Sequence, residues 1–156
     1  MQIFDIFFKK KPITFLHFRD GLNNFEIDYP KGWHYDKDVA FIDGQYTNCF
    51  QSNNMNFILS VNLKINEGFN FKKYAKTELE SPGSGIYTDS ISSKFRKMPA
   101  YKREYSYISS SDEYFGGGVM FFTGRAVFSI MWNAPRSKFE EAKNIFDNML
   151  ASLLIR

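Results

Sequence analysis

Tyr114-Phe115-Gly116-Gly117-Gly118-Val119-Met120-Phe121-Phe122-Thr123, followed by Gly124 and then by Arg125-Ala126-Val127-Phe128-Ser129-Ile130-Met131-Trp132-Asn133-Ala134, is the stretch that decides the fold. In its second half Ala126, Phe128, Ile130 and Trp132 fall on one face of a strand, with Val127 and Met131 on the other. In its first half Phe115, Val119 and Phe121 oppose Tyr114, Met120 and Phe122. Alternation at period two marks both halves as strands. Apolar residues on both faces mark them as central strands, covered on each side.

The rest of the chain supplies the two covers. Phe139, Ala142, Phe146, Met149, Leu150 and Leu153 form an apolar stripe at helical spacing near the C-terminus. Pro135 and the capping-box pattern Ser137-Lys138-Phe139-Glu140 stand just before it. Phe71, Tyr74, Ala75, Glu78 and Leu79 give a second, shorter helix, ended by the loop Ser81-Pro82-Gly83-Ser84-Gly85. Further strands are predicted over Ile13 to Phe18, Asn24 to Tyr29 and Val39 to Ile42, the last running into an Asp43-Gly44 turn. Asn56 to Ile65 alternates strictly through Phe57, Leu59, Val61, Leu63 and Ile65. Ile86 to Ile91 and Ala100 to Ile108 lead into the central pair as a β-meander. Two amphipathic helices and a two-faced sheet make an α/β/α sandwich, of the α+β kind, with a central, mainly antiparallel sheet.

Composition agrees with one folded unit. The chain has 156 residues, 44% hydrophobic and 24% charged, a balance that excludes disorder. Its 18 Phe, 9 Tyr and 2 Trp are best used as core on the two faces of a twisted sheet. A net charge of +3 is too mild to point to nucleic acid, which asks for a concentrated basic face. No apolar run reaches the ~20 residues of a spanning helix. From Met1 to Pro12 the apolar residues precede the lysines, the reverse of a signal peptide, so the expected location is cytoplasmic.

Chemistry-bearing patterns are few. Cys49 is the only cysteine, which leaves no disulfide within the chain, and its reading is a partly buried small residue. His17 and His34 read as surface histidines; a metal site would require them to meet carboxylates such as Asp20 or Asp36. Cys49 and His34 would need to meet in space to act as a nucleophile pair. Gly116-Gly117-Gly118 lacks the Lys-Ser/Thr of a phosphate loop and leads into a strand, so a bulge or the close approach of a helix is expected there. No catalytic residue, metal ligand or cofactor site is therefore predicted, and the chain is read as a non-enzyme.

Two surfaces remain for binding. Lys94, Arg96, Lys97, Lys102 and Arg103 are five cations within ten residues with no acid among them. With Tyr101 and Tyr105 as anchors they suit an acidic protein surface or polyanion; a solvated connection and strand edge protected by Lys and Arg is the reading favoured over it. At the N-terminus Phe4, Phe7 and Phe8 share a helical face ahead of Lys9, Lys10 and Lys11. Packing on the domain or in a homodimer is one fate for this segment, and a weak contact with an anionic membrane is another.

The order of elements resembles the PsbP-like family. The resemblance rests on Phe25-Glu26-Ile27-Asp28-Tyr29-Pro30-Lys31-Gly32-Trp33 as an opening strand and turn, and on Phe71-Lys72-Lys73-Tyr74-Ala75 as the first helix. Met98-Pro99-Ala100-Tyr101-Lys102-Arg103 is similar to the entry to the long central strand. Ala134-Pro135 with Phe139 and Phe146 is similar to the approach to the last helix. The resemblance implies a domain over residues 23–156 with residues 1–22 as a segment packed on or beside it. It brings no catalytic residues, because members of the family bind different partners. The function expected is a protein-binding or accessory module. A carrier of a small apolar ligand, or a peripheral membrane accessory protein, is the alternative.

Overall fold

Eight of the strands form one ladder because each supplies a register partner to a neighbour, and the chain is described here from a computed structural model covering residues 12–22, 24–42, 44–79, 86–87 and 91–156. In chain order the strands are β1 (Phe15–Arg19), β2 (Phe25–Pro30), β3 (His34–Ile42), β4 (Gln45–Gln51) and β5 (Asn56–Asn62). Helix α1 (Phe71–Leu79) follows, then β6 (Ile86–Tyr87), β7 (Ile91–Phe95), β8 (Met98–Ser109), β9 (Asp112–Phe122) and β10 (Val127–Pro135). A 3-10 turn (Arg136–Lys138), helix α2 (Phe139–Ser152) and β11 (Leu154–Ile155) complete the chain.

The large sheet has the order β3-β4-β5-β10-β9-β8-β6, with β7 pairing β8 beside β6. A small sheet has the order β1-β2-β11. Every pairing is antiparallel. The two central strands are the pair that the sequence marked, with Phe121 opposite Phe128 and Val119 opposite Ile130. Their even and odd faces feed separate cores. Phe57, Phe121, Phe128 and Ile130 pack with Ala142, Ile145, Phe146 and Met149 of α2, together with Phe25 and Ile27 of the small sheet. Met120 and Val127 point the other way and pack with Phe71 and Ala75 of α1. The α/β/α sandwich with a mainly antiparallel sheet is thus the architecture, and the small sheet shares the α2 layer.

Among the described residues, covering of the second face is incomplete. Nine residues of helix span about 13 Å, enough for the end of the sheet at Phe122 and Val127. Beyond it Met131 on the same face is 43% exposed.

Several local expectations change. Ser137 lies inside the 3-10 turn rather than ahead of α2, so Lys138 takes the N-cap position and no side chain caps the helix. Glu140 and Glu141 still offset the positive end of the helix dipole. The glycine run is not a bulge: Gly116, Gly117 and Gly118 keep an unbroken register with both neighbours. Side chains, not a helix, make the close approach, since a Cβ on Gly116 would lie 2.3 Å from the Tyr105 ring and one on Gly117 would lie 2.9 Å from the Trp132 indole. β5 stops at Asn62, where its partners Gln45 and Val127 run out, and Ile65 packs beside α1 instead. The predicted Ile86 to Ile91 strand is two short strands on β8.

The strand Gln45–Gln51 was not anticipated; its polar letters hide the alternation Tyr46, Asn48, Phe50, all buried. β11 and the small sheet were likewise unanticipated. Residues 15–19 of the N-terminal segment are β1, paired from Phe15–Pro30 to Arg19–Glu26. Phe4, Phe7, Phe8, Lys9, Lys10 and Lys11 lie outside the described residues, as do the Ser81–Gly85 loop and Asp43. The turn after β2 closes with Trp33 N–H donating to the Pro30 carbonyl (3.1 Å) and Gly32 at φ +92°, the type II pattern that favours glycine at its third position. Trp33 then packs edge-on against Phe146.

Candidate functional site

The reactive side chains are held in structural settings. His17 stands opposite Asp28 across β1 and β2, with Nδ1 2.8 Å from Asp28 Oδ1 and Nε2 3.2 Å from Glu26 Oε2. The hydrogen bond to Asp28 and the two negative charges raise the His17 pKa. Arg156 and Arg19 both donate to Glu26 and lower its pKa despite partial desolvation. This cluster ties β1 and the C-terminus to β2. His34 pairs with Gln51, whereas Cys49 pairs with Asp36, so His34 and Cys49 are not cross-strand partners. Burial, and then the Asp36 charge, push the Cys49 thiol up, the opposite of nucleophile activation. Among the described residues no group of three or more His, Cys, Asp or Glu is placed to hold a metal ion.

A polar island lies between the two sheets. Buried Asp20 accepts from Tyr46 Oη (2.7 Å) and from the Asn24 backbone (3.1 Å). Tyr35 Oη donates to Asn48 Oδ1 (2.8 Å), and burial pushes the Tyr35 phenol up to about 12. The Asn48 amide nitrogen is buried without a hydrogen-bond partner.

The cations of residues 94–103 do not form one patch. Arg96 and Lys97 are the centre of the β7–β8 turn, both at positive φ (47° and 70°), as a type I′ hairpin requires. Arg96 is turned back onto the end of α2, where its guanidinium donates to the carbonyls of Leu150 (2.8 Å), Ala151 (3.1 Å) and Leu153. Leu150 and Ala151 lie in the last turn of α2, at the negative end of its dipole, and the Leu150 carbonyl also accepts from the Leu153 N–H (3.3 Å). Beyond the turn, strand alternation splits the rest. Tyr101 lies on the α1 face against Phe71 (ring centroids 5.6 Å), Lys102 is exposed on the α2 face, and Arg103 returns to the α1 face.

Folding replaces that linear run with a basic end. The β7–β8 turn and the β9–β10 turn (Thr123 to Ala126) emerge at the same end of the sheet, because Met98 to Ala100 pairs toward Phe121 and Phe122 pairs with Val127. α1 is fixed there too, by Phe71 stacking on Phe122 (5.7 Å) and by Ala75 on the Met120–Val127 core. Exposed Lys94 and Lys97 thereby join Arg125 and the exposed Lys72, Lys73 and Lys76 of α1. α1 has no acid in its first turn, where Lys72 and Lys73 sit on the positive end of the dipole. Asn70 Oδ1 caps that turn by accepting from Lys73 N–H (3.0 Å).

The opposite end carries an aromatic cleft. It encloses about 270 Å³ between β8, β9, β10 and α2, with Trp132, Phe115, Phe139 and Tyr105 as walls and Glu104, Ser106 and Lys143 at the rim. A groove of about 410 Å³ along the first turn of α2 shares Phe115 and Phe139 with it. Both are open to solvent; neither is the enclosed cavity that a carrier of an apolar ligand asks for.

No family model matches the sequence, and no curated protein matches it. Solved structures do. Cyanobacterial PsbP (CyanoP) from Synechocystis aligns over 94% of this chain and 95% of its own, with a TM-score of 0.64 at 13% identity. LpqN of Mycobacterium tuberculosis, involved in cell envelope biogenesis, aligns over 93% and 92%, with a TM-score of 0.61 at 12% identity. The Saccharomyces cerevisiae Ran-binding protein Mog1p aligns over 92% and 96%, with a TM-score of 0.53 at 9% identity. The fold is therefore PsbP-like, and at these identities the likeness is one of fold.

Proposed function

We propose that this protein is a non-catalytic accessory module that docks an acidic protein surface against its basic end. The observation that carries the reading is the convergence of α1, the β7–β8 turn and the β9–β10 turn, which brings cations from three separate parts of the chain to one end of the sheet. The first turn of α1 strengthens it. Two lysines beside a positive helix end oppose local stability and add to the field felt by an approaching anion. Solved structures of the same fold include a Ran-binding protein, which supports a protein partner as the kind of ligand. Electrostatic docking of this sort governs encounter rate and orientation more than final affinity.

The test uses poly-L-glutamate as a stand-in for an acidic surface, with binding measured by calorimetry at several salt concentrations. The full chain is expected to bind with affinity falling steeply as salt rises. Combined Lys72→Glu, Lys94→Glu and Arg125→Glu substitutions, all at exposed positions, are expected to weaken binding roughly tenfold or more, at about 0.5 kcal/mol or above per charge. Unchanged binding by that variant sinks the proposal.

A further inference from the structure

We propose that the cleft between α2 and the β8–β9 hairpin is a second docking site, which takes one large apolar side chain of a partner protein segment whose neighbouring residues are Lys or Arg. Its size selects the anchor. About 270 Å³ is just below the roughly 300–1,000 Å³ of sites that take whole small ligands, and suits one ring or branched side chain.

The core takes up the walls only in part. Phe25, Phe50, Phe57, Phe121, Phe128 and Phe146 are fully buried, whereas Phe115, Trp132 and Phe139 stay half-exposed around this one opening. Gly117, on the same sheet face as Phe115 and Trp132, contributes no side chain, and the Trp132 indole lies on its bare backbone. One wall is set in advance: Arg136 is held by Glu113 (2.7 Å) and covers the Phe115 ring at 5.5 Å. Ile108, 78% exposed, lies on the same sheet face one pair beyond Ser106 and Phe115, and offers a second apolar contact outside the cleft. Clustered half-buried aromatics beside a preset arginine are the composition of interface anchor sites.

Charge selects the flanks. Two of the three cations near the mouth are already engaged, Arg136 by Glu113 and Lys143 by Asp147 (2.8 Å). Exposed Glu140 and Glu141 then line the groove together with Lys138, and Glu104 stands at the rim of the cleft, so acidic groups outnumber the one remaining cation. That excess repels an anionic lipid surface and attracts a segment with cations beside its anchor.

The test uses the isotope-labelled full chain and capped pentapeptides with a central Phe flanked on each side by two Lys or by two Glu, followed by NMR. The Lys-flanked peptide is expected to shift the Trp132 indole N–H and the amides of Phe115 and Phe139, and to bind roughly fivefold tighter than the Glu-flanked one, as two or more surface charge contacts would give. Replacing its Phe by Ala is expected to abolish the shifts. Glu140→Lys with Glu141→Lys, at two exposed positions, is expected to remove the preference for Lys while the fold stays intact by its own spectrum. Phe139→Ala is expected to weaken both Phe peptides about tenfold. Equal affinity for the two flanks overturns the proposal, as do shifts confined to other surfaces. Contacts from the chain's own first eleven residues to the Trp132 indole, or concentration-dependent self-association through the cleft, overturn it in favour of those occupants. The basic-end reading stands or falls separately, because none of these variants touches it.

Discussion

Gly116 and Gly117 show how much one absent methyl group decides. Neither has a positive φ, so conformational freedom is not the reason for glycine. The reason is space: a Cβ at Gly116 would meet the Tyr105 ring at 2.3 Å and the Trp132 carbonyl at 2.4 Å. Gly116→Ala is expected to lower unfolding stability by about 1–3 kcal/mol, as overpacking does, measured by urea denaturation. Gly118→Ala is the control, since its nearest contact is 3.4 Å, and it should change stability little. Tyr105 Oη donates to the Trp132 carbonyl (2.9 Å) across the missing side chain, which couples β8 to β10 over β9. The glycines were conspicuous in the sequence, but their cause was not, because it comes from Tyr105, 11 positions before Gly116, and Trp132, 15 positions after Gly117.

Arg96 carries a similar lesson and a second prediction. In the sequence it belongs to a basic cluster; in the fold it caps α2 through three carbonyls. Arg96→Ala keeps the same backbone demand at the turn and removes only the guanidinium. It is expected to cost about 1–2 kcal/mol, with the last turn of α2 losing hydrogen-exchange protection first.

Helix α1 and the small sheet are the elements whose stability depends on charge. Lys72 and Lys73 oppose the α1 dipole, so Lys72→Glu with Lys73→Glu is expected to stabilise the helix by about 0.3–1 kcal/mol while weakening poly-L-glutamate binding. A gain in thermal midpoint together with a loss of binding is the signature; losing both would mean the lysines serve packing instead. The small sheet responds to pH through two groups of opposite sense. His17 has a raised folded-state pKa, so its stabilising effect is complete below about 6.5, the unfolded value, and is lost as pH rises through the folded value. Glu26 has a lowered folded-state pKa, so its effect is present above its unfolded value and is lost as pH falls through the folded one. Pairing of β1 with β2 is therefore expected to be tightest between those limits. Protection factors of the β1 amides, with intrinsic exchange divided out, should rise and then fall from pH 4 to pH 9, and His17→Ala should flatten the alkaline limb.

Over the whole molecule, the two ends of the sheet have different characters. One gathers lysines and arginines around two turns and the start of α1; the other holds an aromatic cleft with an acidic mouth. Each end is testable without disturbing the other. α1 reaches only one end of its face, so Met131 remains open to solvent beyond it. The sequence announced both helices but not that, among the described residues, α1 stops short of Met131.

Residues 114–134 determined the centre of the fold by themselves, because alternation on both faces of two adjacent strands has one economical solution, a sheet with a layer on each side. α1 and the apolar stripe of α2 were equally legible, since a helical period is a local property of the chain. β4 was not: Asn48 in a core position reads as polar until Tyr35 is seen to donate to it. β11 was not either, because two residues make a strand only when β2 is waiting for them. The surfaces were the least legible part. The basic run at 94–103 was visible as letters, but strand alternation scattered it and a helix end claimed one member. The basic end and the cleft arise from residues far apart in the chain, set side by side by antiparallel register, which no local pattern encodes.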